Sequence, residues 1–280
     1  MKVTSDTYVH DTDKNQFLPL HKIGIVVRLR THNKDVPFFS LVLLVIMANS
    51  FLIHVDTQTA NKVNGNPFNC TYVLTNKHKC LVEATLKNVQ MPIGFYNVRA
   101  PYNTVVINGT MYTVPPGNYT SATFLSALNA TVTSAVGTFS INSSTNKFLF
   151  VPFSGSATIT TASTVTLTTL LGFVSGQSGT SITATYSYII NFDTYVDIYI
   201  RNFTTSSTEN QLVTFKIPVD VASGQILHWA ENSRDTQVIP IRYSVETIDR
   251  FIIQVYDRFG NIIDNNGIDW SFTLQIKSDT

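Results

Sequence analysis

The sequence predicts an all-β protein: a single jelly-roll β-sandwich with an inserted small α+β domain. Three observations carry this expectation. Short runs of strand length recur between turn residues, both from residue 50 to about 100 and from 186 to the end. Charged residues make up only 13% of the 280 residues, about half the usual share, and Thr, Ser and Asn take their place. The one stretch with convincing helical spacing lies in the middle of the chain, among hairpins of its own.

In chain order, 50–55 (SFLIHV) mixes apolar and polar positions and 71–74 is a short run bounded by Asn. Residues 80–89 (CLVEATLKNV) alternate, with Leu81, Glu83, Thr85 and Lys87 on one face and Val82, Ala84, Leu86 and Asn88 on the other. Pro92, Gly94 and Pro101 then punctuate rather than pair. Asn108-Gly109 between 104–107 and 111–114 is the strongest short hairpin signal. Thr120 can cap a helix in which Phe124, Leu125, Leu128 and Val132 recur at helical spacing. A second hairpin is expected from 138–142 and 147–153, a strand at 158–161, and a helical turn at 167–172 closed by Gly172. The segment 172-GFVSGQSG-179 reads as a loop, with neither the lysine nor the following helix of a phosphate-binding loop.

Strands resume at 186–191, 195–200, 212–217, 225–229, 238–243, 250–256 and 269–276. The division that follows is an arm or upstream extension at 1–46, a jelly-roll core of 47–100 plus 185–280, and an insertion domain at 101–184.

The apolar segment 38-FFSLVLLVIMANSFLIHV-55 admits several readings. Its uninterrupted part, Leu41 to Ala48, is short of the ~20 residues a membrane span needs. The charged leader before it is too long for a secretory signal. A start at Met47, a tethered arm, a membrane anchor and an ordinary buried strand remain, and membrane contact is expected only through residues 38–53.

A net charge of +1, without basic runs, gives no support to direct nucleic-acid binding. Cys70 and Cys80 lie ten residues apart and can pair across a hairpin, or join His78 as metal ligands. His10, His21, His32, His54, His78 and His228 include no pair at metal-binding local spacing. Asp257, Asp264 and Asp269 cluster near the C-terminus and raise the possibilities of a calcium site or an acid pair. Beside turns, Asp more often binds its own backbone. Sequons occur at Asn69, Asn108, Asn118, Asn129, Asn142 and Asn202, as an Asn/Thr-rich chain produces by chance. Arg201, Lys216, Arg242, Arg250 and Arg258 read as solvent-facing strand charge, or as contacts for an acidic neighbour. No catalytic, cofactor or metal residue is assigned, and no enzyme activity is expected.

Four segments in fixed order carry a resemblance. They are 86-LKNVQMPIGFYNVRAPYNT-104, 113-TVPPGNYTSATFLSALNA-130, 170-LLGF-173 and 249-DRFIIQVYDRFGNIIDNNGIDWSFTLQI-276. Together they make residues 50–280 similar to penton or minor capsid jelly-roll proteins of virophages, Polinton-like viruses and nucleocytoplasmic large DNA (giant) viruses. The resemblance implies a structural protein of the virion, most simply a penton forming homopentamers at icosahedral five-fold vertices. Its partners would be its own copies and the neighbouring major and minor capsid proteins, in a shell assembled in the host cell. It supplies no catalytic residues. It implies architectural roles instead: Asn261 and Gly267 in turns, and Trp270 and Phe272 facing inward from the final strand. The alternatives are a minor capsid protein cementing capsomers and a carbohydrate-binding attachment module, since jelly rolls also host lectins.

Overall fold

A computed structural model describes residues 49–79, 81–132, 136–161, 166–201, 215–232, 236–240 and 247–278. The chain enters through β1 (Asn49–Asp56), β2 (Asn61–Val63), β3 (Asn66–His78) and β4 (Leu81–Pro92). It then builds β5 (Thr104–Ile107), β6 (Thr110–Thr113), α1 (Ser121–Val132), β7 (Gly137–Asn142), β8 (Lys147–Pro152), β9 (Ala157–Thr160), α2 (Leu167–Leu170), β10 (Gln177–Gly179) and β11 (Ile182–Thr183). It returns through β12 (Tyr195–Ile200), β13 (Phe215–Pro218), β14 (Ile226–Ala230), β15 (Val238–Pro240), β16 (Ile248–Tyr256) and β17 (Ser271–Ser278).

The entering and returning strands form two antiparallel sheets. One has the order β1-β17-β4-β14, with β15 also on β4, and the other β13-β12-β16-β3-β2. The pairs nest: β1 with β17, β3 with β16, β4 with β14, β12 with β13. This is one long hairpin rolled into two sheets, which defines a jelly roll. The fold class read from the sequence is therefore correct.

Apolar residues of period two fill the space between the sheets. Val55, Phe251, Ile253, Val255, Phe272, Leu274 and Ile276 are fully buried. In β4 the simple alternation fails. Its pairing with β17 skips Lys87, so Leu274 faces Leu86 and Thr273 faces Asn88. A bulge of this kind shifts the period by one residue. Val89 and Met91 consequently join Ala84 and Leu86 in the core, and a second shift near Ser278 admits Leu81.

A second apolar cluster belongs to the chain between β4 and β12, and runs from Val98 to Ile190. Here Asn108 and Gly109 take φ of 50° and 78°, as the tight turn between β5 and β6 requires. Thr120 caps α1 by accepting from Thr123 N at 3.3 Å, while Thr123 Oγ1 accepts from Thr120 N at 2.9 Å. Phe124, Leu128 and Val132 form the buried face of α1.

Two expectations in this region need correction. Gln177–Gly179, expected as loop, is a strand paired with β9. The run 186–191, expected as a strand, is none: its N–H groups go to Gly172 O, Asn146 O and Leu170 O, at the ends of turns. Gly172 has φ +83°, and a Cβ there would lie 2.1 Å from Tyr186 O, so only glycine admits this close approach.

Residues 49–53 of the apolar N-terminal segment lie in β1, with Ile53 facing the core and Leu52 exposed. No described helix is long and apolar enough to cross a membrane. Residues 38–48 of that segment and the question of an arm at 1–46 lie outside the described residues.

Cys70 in β3 is a buried free thiol; Cys80 lies outside the described residues. Burial pushes the Cys70 pKa up to about 11. An unfolded cysteine titrates near 8.5. The folded state thus holds this proton more tightly, and the resulting stability is complete below the unfolded pKa and is lost as pH rises towards 11. In a Cys80→Ser chain at pH 8, Cys70 should stay unlabelled by a thiol reagent that modifies the urea-unfolded chain completely. Stoichiometric labelling of the folded chain would contradict this.

Candidate functional site

The C-terminal aspartates do not form a site together. Asp264 Oδ1 accepts from Asn266 N at 2.9 Å and shapes a turn in which Asn266 and Gly267 have positive φ. Asp269 pairs with Lys62 at 2.7 Å and accepts from Thr57 Oγ1. Among the described residues no group of three His, Cys, Asp or Glu side chains is placed to hold a metal. His78 instead stacks on Phe51 at 4.4 Å, and His54 Nδ1 lies 3.2 Å from Thr273 Oγ1.

Asp257 behaves differently: it is 2% exposed and reaches out of its turn to Tyr102 and Arg99. Its Oδ1 accepts from Phe259 N and Asn261 N, both at 2.9 Å, as an Asx turn does. Its Oδ2 accepts from Tyr102 Oη at 2.9 Å and lies 3.4 Å from Arg99. Arg99 grips Asp193 with both terminal nitrogens, at 2.6 and 3.1 Å, and donates to Tyr96 O at 2.7 Å. Asn261, expected as a turn residue, also donates from its side chain to Tyr102 Oη. Around the charges stand the rings of Phe192, Phe95 and Tyr102, 5.2, 5.5 and 6.0 Å from the guanidinium carbon.

This arrangement joins the chain leaving the jelly roll (Arg99, Tyr102), the chain re-entering it (Phe192, Asp193) and the loop from β16 to β17 (Asp257–Asn261). Burial pushes the Asp193 carboxyl above its ordinary range, with Arg99 opposing that rise. Burial, then the Asp257 charge, raises the Tyr102 phenol far above its usual value, so it remains a donor. Both oxygens of Asp257 are occupied. The chemistry of the cluster is that of a clamp.

Asn265, which is fully buried, adds a second clamp. Its Oδ1 accepts from Gly94 N, while its Nδ2 donates to Pro92 O and Ile268 O. A Cβ on Gly94 would lie 2.7 Å from Asn265 O, so the two segments touch backbone to backbone. Asn97 extends the network to the start of α1, by way of Tyr119 N, Tyr119 O and Asn191.

Sequence reading placed Trp270 and Phe272 correctly: they are 2% and 0% exposed. It missed Arg99, Tyr102, Asp193 and Asn265. The available signal was the mix of aromatic and polar residues in 95-FYNVRAPYN-103 and the polar 264-DNN-266, with no strand or helix period.

Of the sequons, Asn129 bonds both ways with the Phe139 backbone, Asn108 accepts from Thr158 N, and Asn118 accepts from Asn97 N. Among the candidate contact cations, Lys216 lies 4.0 Å over the Tyr195 ring, Arg250 pairs with Asp249, and Arg258 lies over Phe259. Arg242 and Asn202 lie outside the described residues.

The first segment of the resemblance thus touches both the second and the fourth. The first binds the second through Asn97 and the Val98–Gly117 bridge, and the fourth through Arg99, Tyr102 and Gly94. The third contributes Leu171 and Phe173 to the second core. The chain matches no family model and no curated protein. Among solved structures it is similar to the crystal structure of the selenomethionine-labelled mavirus penton protein, with a TM-score of 0.43 and 10% identity. That match covers 82% of this chain and 100% of that one. The jelly-roll description rests on the strand order and not on this likeness.

Proposed function

We propose that the chain is a structural protein of an icosahedral virion, and specifically a penton that forms homopentamers at five-fold vertices. The observation that supports this best is the joint just described. Two of the segments that resemble the penton and minor capsid group, about 160 residues apart, meet in a single buried clamp. The resemblance therefore extends to residues that work together in space.

On this reading the jelly roll is the shell-forming body and the region between β4 and β12 is a second folding unit carried on it. Copies would bury complementary, non-identical faces against one another around the five-fold axis. Neighbouring major and minor capsid proteins would complete the contacts. A cementing role between capsomers is the nearest alternative, and location separates the two. A virion reconstruction should place this chain at the vertices; density for it between capsomers away from the vertices would replace the penton reading with the cementing one.

A further inference from the structure

Beside the clamp lies an open groove. Its larger part, about 600 Å³, is bounded by the loop from β13 to β14 and by the linkers on either side of the second core. A further part of about 500 Å³ continues past the start of α1 to Tyr188, sharing Tyr119, Thr120 and Asn191 with the first. Each part alone has the size of a small-ligand site.

The groove is built rather than incidental. Tyr119 is held by a bond from its Oη to Pro115 O at 2.9 Å, by its edge contact with Phe124, and by Gly117, whose missing side chain leaves room for the ring. Asn97 donates to Tyr119 O and Asn191 Oδ1, both at 2.8 Å, and so fixes the groove wall from behind. Tyr188 is fixed by its bond to Ser121 Oγ at 2.8 Å. A pre-formed wall spares a ligand the entropy of ordering it.

The lining chemistry selects the ligand. Tyr119 and Tyr188 offer aromatic surface, Asn191 offers its amide nitrogen, and Asp220 offers an exposed carboxylate, while the Asn118 amide is spent on Ser223 Oγ and Asn97 N. No lysine or arginine lines either part, so an anionic group would find no counter-charge. Asp193, the other acid of the lining, is already taken by Arg99. A sugar ring matches this set: an apolar C–H face for tyrosine, and hydroxyls that donate to carboxylates and accept from amides. We propose that the groove binds an uncharged glycan, which would give a shell protein a contact with a glycosylated surface.

The test uses the full chain and saturation-transfer NMR with three probes. These are neutral galactose-, mannose- and N-acetylglucosamine-terminated oligosaccharides, their sialylated forms and their sulfated forms. Binding of at least one neutral probe is expected, with the charged forms weaker. Asp220→Ala, at an exposed position, should weaken that binding at least tenfold with an unchanged melting temperature. Ala222→Trp, which fills the groove, should abolish it. Absence of neutral-glycan binding at millimolar concentration, preference for the charged forms, or binding indifferent to both variants would each overturn the proposal. The inference is independent of the penton reading: a monomer that binds glycan keeps one and loses the other, and a pentamer that binds none does the reverse.

Discussion

Trp270→Ala should destabilise the chain by ~3–5 kcal/mol, the range for truncating a core aromatic. The side chain is 2% exposed and meets Phe68 edge-on at 5.7 Å and Phe272 in a stack at 4.9 Å. Its indole N–H donates to Pro67 O at 3.0 Å, and its backbone N–H is taken by Thr57 Oγ1. It therefore ties the start of the last strand to Thr57, just after β1, and to Pro67 in β3. The loss is about a fifth or more of the total stability of a typical domain, ~5–15 kcal/mol. On the proposed reading assembly should fail with it, because the jelly roll that would form the shell contacts is depleted. Trp270→Phe keeps most of the ring contact and loses the hydrogen bond, which is worth ~1 kcal/mol. Urea unfolding followed by circular dichroism measures both. A Trp270→Ala loss below ~1 kcal/mol would show that the closure depends on other contacts.

Arg99→Met is expected to be comparably severe for a different reason. It removes the cation between two carboxylates whose side chains are 6% and 1% exposed. Removing one partner of a buried ion pair costs ~3–5 kcal/mol, because the remaining charge is stranded. Lysine should not rescue it, since the two-nitrogen grip on Asp193 needs the planar guanidinium. Asp193→Asn in the same chain should restore part of the loss by removing one stranded charge. The pH dependence has a definite sign. Burial already raises the Asp193 pKa in the folded state, and loss of Arg99 removes most of what opposes that rise, leaving only the more weakly acting Arg258. A carboxyl with a raised folded pKa binds its proton more tightly when folded, so its favourable contribution is present at low pH and is lost as pH rises. The Arg99→Met deficit should therefore be larger at pH 8 than at pH 5. A deficit that grows as pH falls, or no deficit, would mean that Arg99 does not hold the joint.

These two residues also mark how far the sequence could be read. Trp270 was legible because a final strand of period two leaves little freedom in which face is buried. The Asn108-Gly109 turn and the spacing of Phe124, Leu128 and Val132 were legible for similar local reasons. Arg99 was not, because its partners Asp193 and Asp257 are about 94 and 158 residues away and no periodicity links them. The bulge at Lys87 escaped because it arises from pairing with β17 and not from any turn residue in β4. The run 186–191 has strand composition, yet its backbone is claimed by the carbonyls of residues 146, 170 and 172. Tertiary pairing overrode a weak local preference there.

The central claim is assembly with five-fold symmetry, and native mass spectrometry of the purified chain tests it most directly. The full chain weighs 31.1 kDa, and the denatured spectrum of the same sample gives the mass of the protomer as made. A closed ring of five protomers is expected, with its population rising with protein concentration and on addition of a neighbouring shell protein. A protein that stays monomeric across that range, or that closes rings of another number, would contradict the account.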